Sequence, residues 1–296
     1  MNESQPLYAA PMPMSTSTIA AARPSRAADR FTATSALRAH WPEYLMESAE
    51  LGLFMVSACF FTTLLEYPAS PVRHLLPNAF LRHALSGLAM ALTLLLLIHS
   101  AWGKRSGAHM NPAMTLMFLR LGKMETWDGF FYVVFQFAGG LSGVVFSSLV
   151  IGRALAHPSV NFAATQPGSW GTGAAFVAEL LISFLLATTV LAVSNHKNLS
   201  RFTPYFAATL VATYITFEAR FSGMSMNPAR TLGSAIPAHA FQALWIYFTA
   251  PPLAMLIAAE AYLRVRSARA VYCAKLNHHN AERCIFRCRY MELQGN

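Results

Sequence analysis

The side chains best suited to chemistry in this chain are two Asn amides and one Arg, carried by a stretch that occurs twice. Residues 106–116 read Ser-Gly-Ala-His-Met-Asn-Pro-Ala-Met-Thr-Leu and residues 222–232 read Ser-Gly-Met-Ser-Met-Asn-Pro-Ala-Arg-Thr-Leu, identical at eight of eleven positions. Internal similarity of this kind marks a duplicated unit. Asn is a favoured N-cap and Pro suits the first helical position, so Asn111-Pro112-Ala113 and Asn227-Pro228-Ala229 each predict a helix start. Such a start presents amide donors and about half a positive charge, which suits a neutral polar molecule and repels a cation. Arg230 follows the second motif where the first copy has Met114. A lone Arg in apolar surroundings must face water or a partner and is functional by default.

The other reactive residues lie near the C-terminus, where Cys273, His278, His279, Cys284 and Cys288 fall within residues 273–288. Three thiols and an imidazole (Cys273, His278, Cys284 and Cys288) match a closed zinc site in ligand type, although the spacing is not that of a standard finger. A basic tail with incidental Cys fits the same residues, and Arg264, Arg266 and Arg269 could engage anionic lipid. Cys59 stands apart in an apolar segment, and four Cys so placed do not make a secreted disulfide framework. There is no Gly-rich phosphate loop, and no nucleophile, base and orienter that fit one aqueous site, so no enzyme reaction is indicated.

The elements that must position these groups follow from composition. The 296 residues are 55% hydrophobic and 12% charged, with mean hydropathy +0.38, a membrane composition where soluble domains carry about 25% charged residues. The net charge of +9 falls between apolar segments, as in cytoplasmic loops, which argues against nucleic acid as a partner. Six apolar segments, about 45–65, 84–101, 130–151, 174–193, 202–217 and 243–263, are near the length of a span, the second and fifth being short. Each stretch after an Asn-Pro-Ala motif is apolar for only about two turns, where a span needs ~20 residues. Such half-helices must line a cavity or be buried in protein, since lipid cannot satisfy their backbone. The order is span, span, half-helix, span, twice over, and an odd number of spans per copy inverts the second copy, pointing to a midplane site. Seventeen of the 22 Lys and Arg fall on one side, so both termini are expected in the cytoplasm. The expected division is a disordered basic tail at 1–42, a channel domain at 43–265 with repeats at 43–153 and 172–265, and a basic Cys/His tail at 266–296. A transit peptide is the alternative for the first segment. The small residues of Phe-Ala-Gly-Gly-Leu-Ser-Gly at 137–143 predict a close helix contact.

Two Asn-Pro-Ala motifs, six spans and an inverted repeat resemble the aquaporin family, also called major intrinsic proteins, over about residues 43–265. The resemblance implies an all-α membrane fold of six transmembrane helices and two re-entrant half-helices meeting at mid-membrane. It also implies a homotetramer of separate pores, a bacterial-type water channel in the cell (plasma or inner) membrane, with no cofactor. A water held by both Asn amides would have its hydrogens turned from its neighbours, interrupting proton relay. The family pattern places Arg230 at the outer constriction with Met224, Ile215 and either Met90 or Ala91. It implies that Glu50 and Glu179, in the shared triplet Ala-Glu-Leu, brace the motif-bearing loops, and His109 is read as lining the cytoplasmic half of the pore. Glu47 is read as solvated near the membrane edge, and Glu218 as facing Arg220. Thr231, Ala235 and the pair Tyr247-Phe248 favour water over glycerol. Met and Ile in place of an aromatic and a His leave a facilitator of glycerol or other small neutral solutes as the nearest alternative. A membrane scaffold or adhesion protein and a pore gated by a metal- or redox-sensing tail are the others.

Overall fold

The computed structural model describes residues 31–295, all helix and loop with no strand among them. Eight helices carry the argument: α1 (Ala33–Glu66), α2 (Ala79–His99), α3 (Pro112–Arg120), α4 (Thr126–Ile151), α5 (Gly171–Ser194), α6 (Thr203–Phe217), α7 (Pro228–Ala238) and α8 (Leu244–Arg266). Of these, α1, α2, α4, α5 and α8 are long and apolar enough to cross a membrane. The 15-residue α6 is shorter, and single turns at Ser200–Phe202 and Ala219–Ser222 extend it at either end. The 9-residue α3 and 11-residue α7 are the two half-helices. At ~1.5 Å per residue neither can cross a ~30 Å hydrocarbon core.

The packing shows the duplication directly. α1 pairs with α4 and α5 with α8 inside the two copies; across them α7 packs on α4, α3 on α8, and α2 on α6. Exchanging the copies maps this contact set onto itself, the signature of a pseudo-two-fold axis. The 137–143 stretch makes the expected close contact: a Cβ on Gly139 would stand 2.1 Å from the Ser48 carbonyl oxygen, and one on Gly143 would stand 2.3 Å from that of Gly52. Small residues here let α1 and α4 meet backbone to backbone. Large apolar side chains such as Leu96, Leu149, Val150 and Leu181 are exposed on the outer faces of the spans, as a bilayer-facing surface requires.

The N-terminal boundary differs from the sequence expectation. Thr32 and Ser35 form a reciprocal capping box that starts α1 at Ala33, so residues 33–42 are helix rather than tail; the expected disorder of the earlier residues falls outside the described ones. The C-terminal segment, expected as a basic Cys/His tail, is packed against the bundle. Val271, Cys273, Ala274, Leu276, Phe286, Tyr290 and Leu293 are buried and join the core of the bundle. They do so at the face where α1 begins and α8 ends.

Candidate functional site

A cavity of about 420 Å³ runs along the bundle axis, from Glu66, His83 and Pro158 at one face, past Asn111 and Asn227, to His109 and Leu276 near the other. The two half-helices meet at its middle. Each Asn spends its side-chain oxygen on its own helix: Asn111 accepts from the Ala113 N–H (2.9 Å), and Asn227 from those of Ala229 (3.0 Å) and Arg230 (3.2 Å). Each amide nitrogen crosses to the other copy, Asn111 donating to the Met226 carbonyl and Asn227 to the Met110 carbonyl, both at 2.7 Å. A primary amide has two N–H groups. One per Asn locks the tips together, and the other is left for the lumen that both residues line.

The turns before the motifs hold Ala108 and Met110, and again Met224 and Met226, at positive φ. Non-glycine residues in that region cost about 1–3 kcal/mol each and persist only where the surroundings over-determine them. Buried carboxylates provide that constraint. In the second copy Glu179 accepts from the Ser225 N–H (2.6 Å), the Met226 N–H (2.7 Å) and the Ser222 hydroxyl (2.8 Å). In the first copy the work is divided. Glu47 accepts from the His109 N–H (2.7 Å) and the Met110 N–H (2.6 Å), while Glu50 takes only the Ser106 hydroxyl (3.0 Å). The sequence reading therefore misplaced Glu47: read as solvated, it is wholly buried and is the main brace, while Glu50 does accept from the motif-bearing loop, but only through Ser106. The shared Ala-Glu-Leu triplet pointed to Glu50, and nothing local distinguishes carboxylates three residues apart on one helix face. A matched pair of tyrosines adds to the brace, of which the sequence reading named only Tyr247, and in another role. Tyr132 donates to the Ser106 carbonyl (2.6 Å) and Tyr247 to the Ser222 carbonyl (2.5 Å). Tyr247 is thus a buried brace and Phe248 stacks on Phe137 at 5.8 Å; neither faces the cavity, which weakens that pair as a sign of selectivity.

Arg230, Met224, Ile215 and Met90 all line the cavity, and Ala91 does not. The Arg230 guanidinium donates to the Thr165 hydroxyl. A Cβ on Gly87 would meet the Ala212 carbonyl at 2.6 Å and the Thr216 hydroxyl at 3.0 Å, so α2 lies against α6 with Ser86, not Met90, level with Ile215. Met90 is one turn deeper. Ser86 and His83 on α2 line the cavity together with Ile215, and the His83 imidazole is the one ring among these three. Counting back from the motif missed Ser86, because α2 breaks at Ser100 and a separate turn, Ala101–Ser106, intervenes. Glu218 forms no ion pair with Arg220 among the described residues; the Arg220 guanidinium lies over the Phe221 ring at 5.0 Å.

His109 does border the lumen, inside a closed network. Its Nε2–H donates to the Ala274 carbonyl (2.9 Å), so Nδ1 accepts from Thr115 (3.1 Å), whose oxygen in turn accepts from Gln136 (3.1 Å). Its ring is sandwiched between Phe118 and Phe286, at 5.0 and 5.4 Å between centroids. Phe286 and Ala274 belong to the C-terminal segment, which thereby covers this end of the cavity. Lys275, between them, is buried; burial pushes its ammonium below the usual range, and it donates to the carbonyls of Glu282 (3.1 Å) and Arg283 (2.8 Å). Cys273, His278, Cys284 and Cys288 come together beside it, their donor atoms all within 4.8 Å of one another.

Comparison with known proteins agrees with this geometry. Residues 36–262 match the family described as Major intrinsic protein. The chain is 34% identical over 169 residues to Aquaporin NIP2-1 of Zea mays, covering 56% of this chain and 55% of that one. It is 33% identical over 184 residues to Aquaporin NIP6-1 of Arabidopsis thaliana, covering 62% and 57%. The matches therefore span little more than half the length of these curated relatives. Among solved structures, the aquaglyceroporin from Plasmodium falciparum shares the fold at a TM-score of 0.62 and 18% identity, over 78% of this chain and 99% of that one.

Proposed function

Since the chain belongs to the major intrinsic protein family, a family of membrane channels, we propose that it is a passive channel for water that turns back ions and protons. The observation that carries this reading is the reciprocal Asn lock: two opposed helix tips, joined through the Met110 and Met226 carbonyls, with one N–H per amide left for the lumen. The two half-helix dipoles raise the potential where they meet, so a cation finds a barrier that a neutral molecule does not. Arg230 adds a fixed positive charge and hydrogen-bond donors on the side away from His109.

A second permeant class is favoured by Ser86. A small hydroxyl at the level of Ile215 leaves that constriction wider and wetter than an aromatic ring would, which supports passage of glycerol-sized neutral solutes beside water. The reading includes insertion in the cell membrane with the basic face cytoplasmic, and assembly as a homotetramer through the apolar outer faces of the spans. Swelling and shrinking of proteoliposomes in gradients of salt, glycerol and urea tests it. Water flux above that of empty vesicles without ion current is expected; a chain that passes neither water nor glycerol after its C-terminal segment has been opened would be the scaffold protein instead.

A further inference from the structure

We infer that Cys273, His278, Cys284 and Cys288 bind one zinc-class divalent ion, and that this ion clamps the C-terminal segment as a plug in the basic-side mouth of the channel; the gating half rests on the channel reading above. The geometry suits the ion. The Cys273 and Cys284 sulfurs are 3.6 Å apart, close to the ~3.8 Å edge of a tetrahedron with Zn–S bonds of about 2.3 Å. His278 points Nε2 at the Cys288 sulfur, 2.9 Å away, and its ring is held by stacking on Tyr290 at 4.3 Å. The Tyr290 N–H donates to the same sulfur (3.4 Å), the outer-shell support that metal thiolates characteristically have.

The second observation is the fold of the segment itself. Residues 271–289 contain no helix or strand, yet Val271, Cys273, Ala274, Leu276 and Phe286 are buried and all the cysteines are free thiols. A structureless run of this length held in one shape needs a cross-link, and a structural metal supplies one. What the cross-link holds is the mouth. The Ala274 carbonyl accepts from His109, the Leu276 N–H donates to the Gly107 carbonyl (3.1 Å), and the Leu276 side chain forms part of the cavity wall. Phe286 stacks on His109 and fills the space over Gly107. Each of these plug residues is within two positions of a ligand. Outer tethers fix the rim: Arg287 grips Glu125 through two nitrogens (2.8 and 2.9 Å), and Tyr290 meets Ser200 (3.0 Å).

Full-length protein purified from zinc-supplemented medium should contain one zinc per chain by elemental analysis, and thiol titration should find the three tail thiols protected until a chelator is added. The triple variant C273S/C284S/C288S should lose the metal. In proteoliposomes, a membrane-permeant zinc chelator should raise water flux several-fold and zinc should reverse the rise. L276A and F286A should conduct constitutively while keeping their zinc, which separates plug from clamp even if the triple variant fails to fold. Absence of zinc, or a Cys273–Cys284 disulfide in its place, overturns the metal site. Zinc binding with flux indifferent to chelation overturns the gate. Zinc binding with no flux even in F286A overturns the gate together with the channel reading, leaving the metal site standing.

Discussion

On the channel reading proposed above, individual side chains divide into those that would touch the permeant and those that hold the touching atoms still. Arg230 is of the first kind. Replacing it with Ala removes the guanidinium from the lumen and widens the constriction, so urea and glycerol flux should rise relative to water, and cation leak with it. Swelling rates across a solute series measure this, and an unchanged series would remove Arg230 from the filter. Ser86 makes the opposite prediction. S86F narrows the passage at the level of Ile215 and should cut glycerol flux strongly while sparing water. Glu47 is of the second kind, and the pair Glu47 and Glu50 permits a contrast. Hydrogen bonds to a charged acceptor contribute about 1.5–3 kcal/mol each. E47Q loses charge at two backbone N–H donors of a strained turn, whereas E50Q affects one hydroxyl contact. Thermal unfolding in detergent and water flux should both fall more for E47Q; equal effects would mean the two carboxylates share the brace.

At the scale of elements, the half-helices are placed by what packs behind them. α7 lies on α4, and α4 on α1, through glycines that admit no side chain without displacement. Overpacking such a contact costs about 1–3 kcal/mol. G139A forces a methyl against the Ser48 carbonyl, so α1 and α4 must separate, and α7 moves with α4. The expected result is a lower melting temperature and reduced flux with the Asn residues untouched. G173A, where a Cβ meets nothing within 4 Å, is the control and should behave as the parent. If G139A melted like G173A, the tightness of the α1–α4 seam would not matter to the site.

For the whole molecule, the two faces are unlike although the two copies are alike. One mouth opens between Glu66, His83 and Pro158, while the other is covered by a segment that lies beyond the 36–262 family match. That segment bridges elements of both copies, reaching Glu43 on α1 through Arg283 (3.7 Å), Glu125 before α4 through Arg287 (2.8 Å) and Asn195 after α5 through the Tyr272 N–H (2.8 Å). Truncation before Val271 should therefore raise basal flux and lower thermal stability together, because the same contacts close the mouth and tie the copies. The proposed tetramer is tested by the mass of the detergent-solubilised particle from light scattering, where a monomer that conducts fully would show the pore to be self-sufficient.

The amino-acid sequence by itself determined the membrane class, the duplication, the capped half-helices and the lone Arg, because each is written in local signals: apolar run length, a repeated stretch, Asn-Pro at a helix start, a charge among apolar residues. It also determined which ligands the C-terminal Cys and His offer. Only the tertiary structure decided that Glu47 rather than Glu50 holds the first turn, that Ser86 rather than Met90 lies level with Ile215, and that the C-terminal segment fills a mouth of the cavity. These depend on how one helix is rotated and slid against another. A carboxylate three residues along a helix, or a side chain one turn deeper, carries the same local pattern, and the choice falls to whichever backbone N–H or facing residue long-range packing brings within reach.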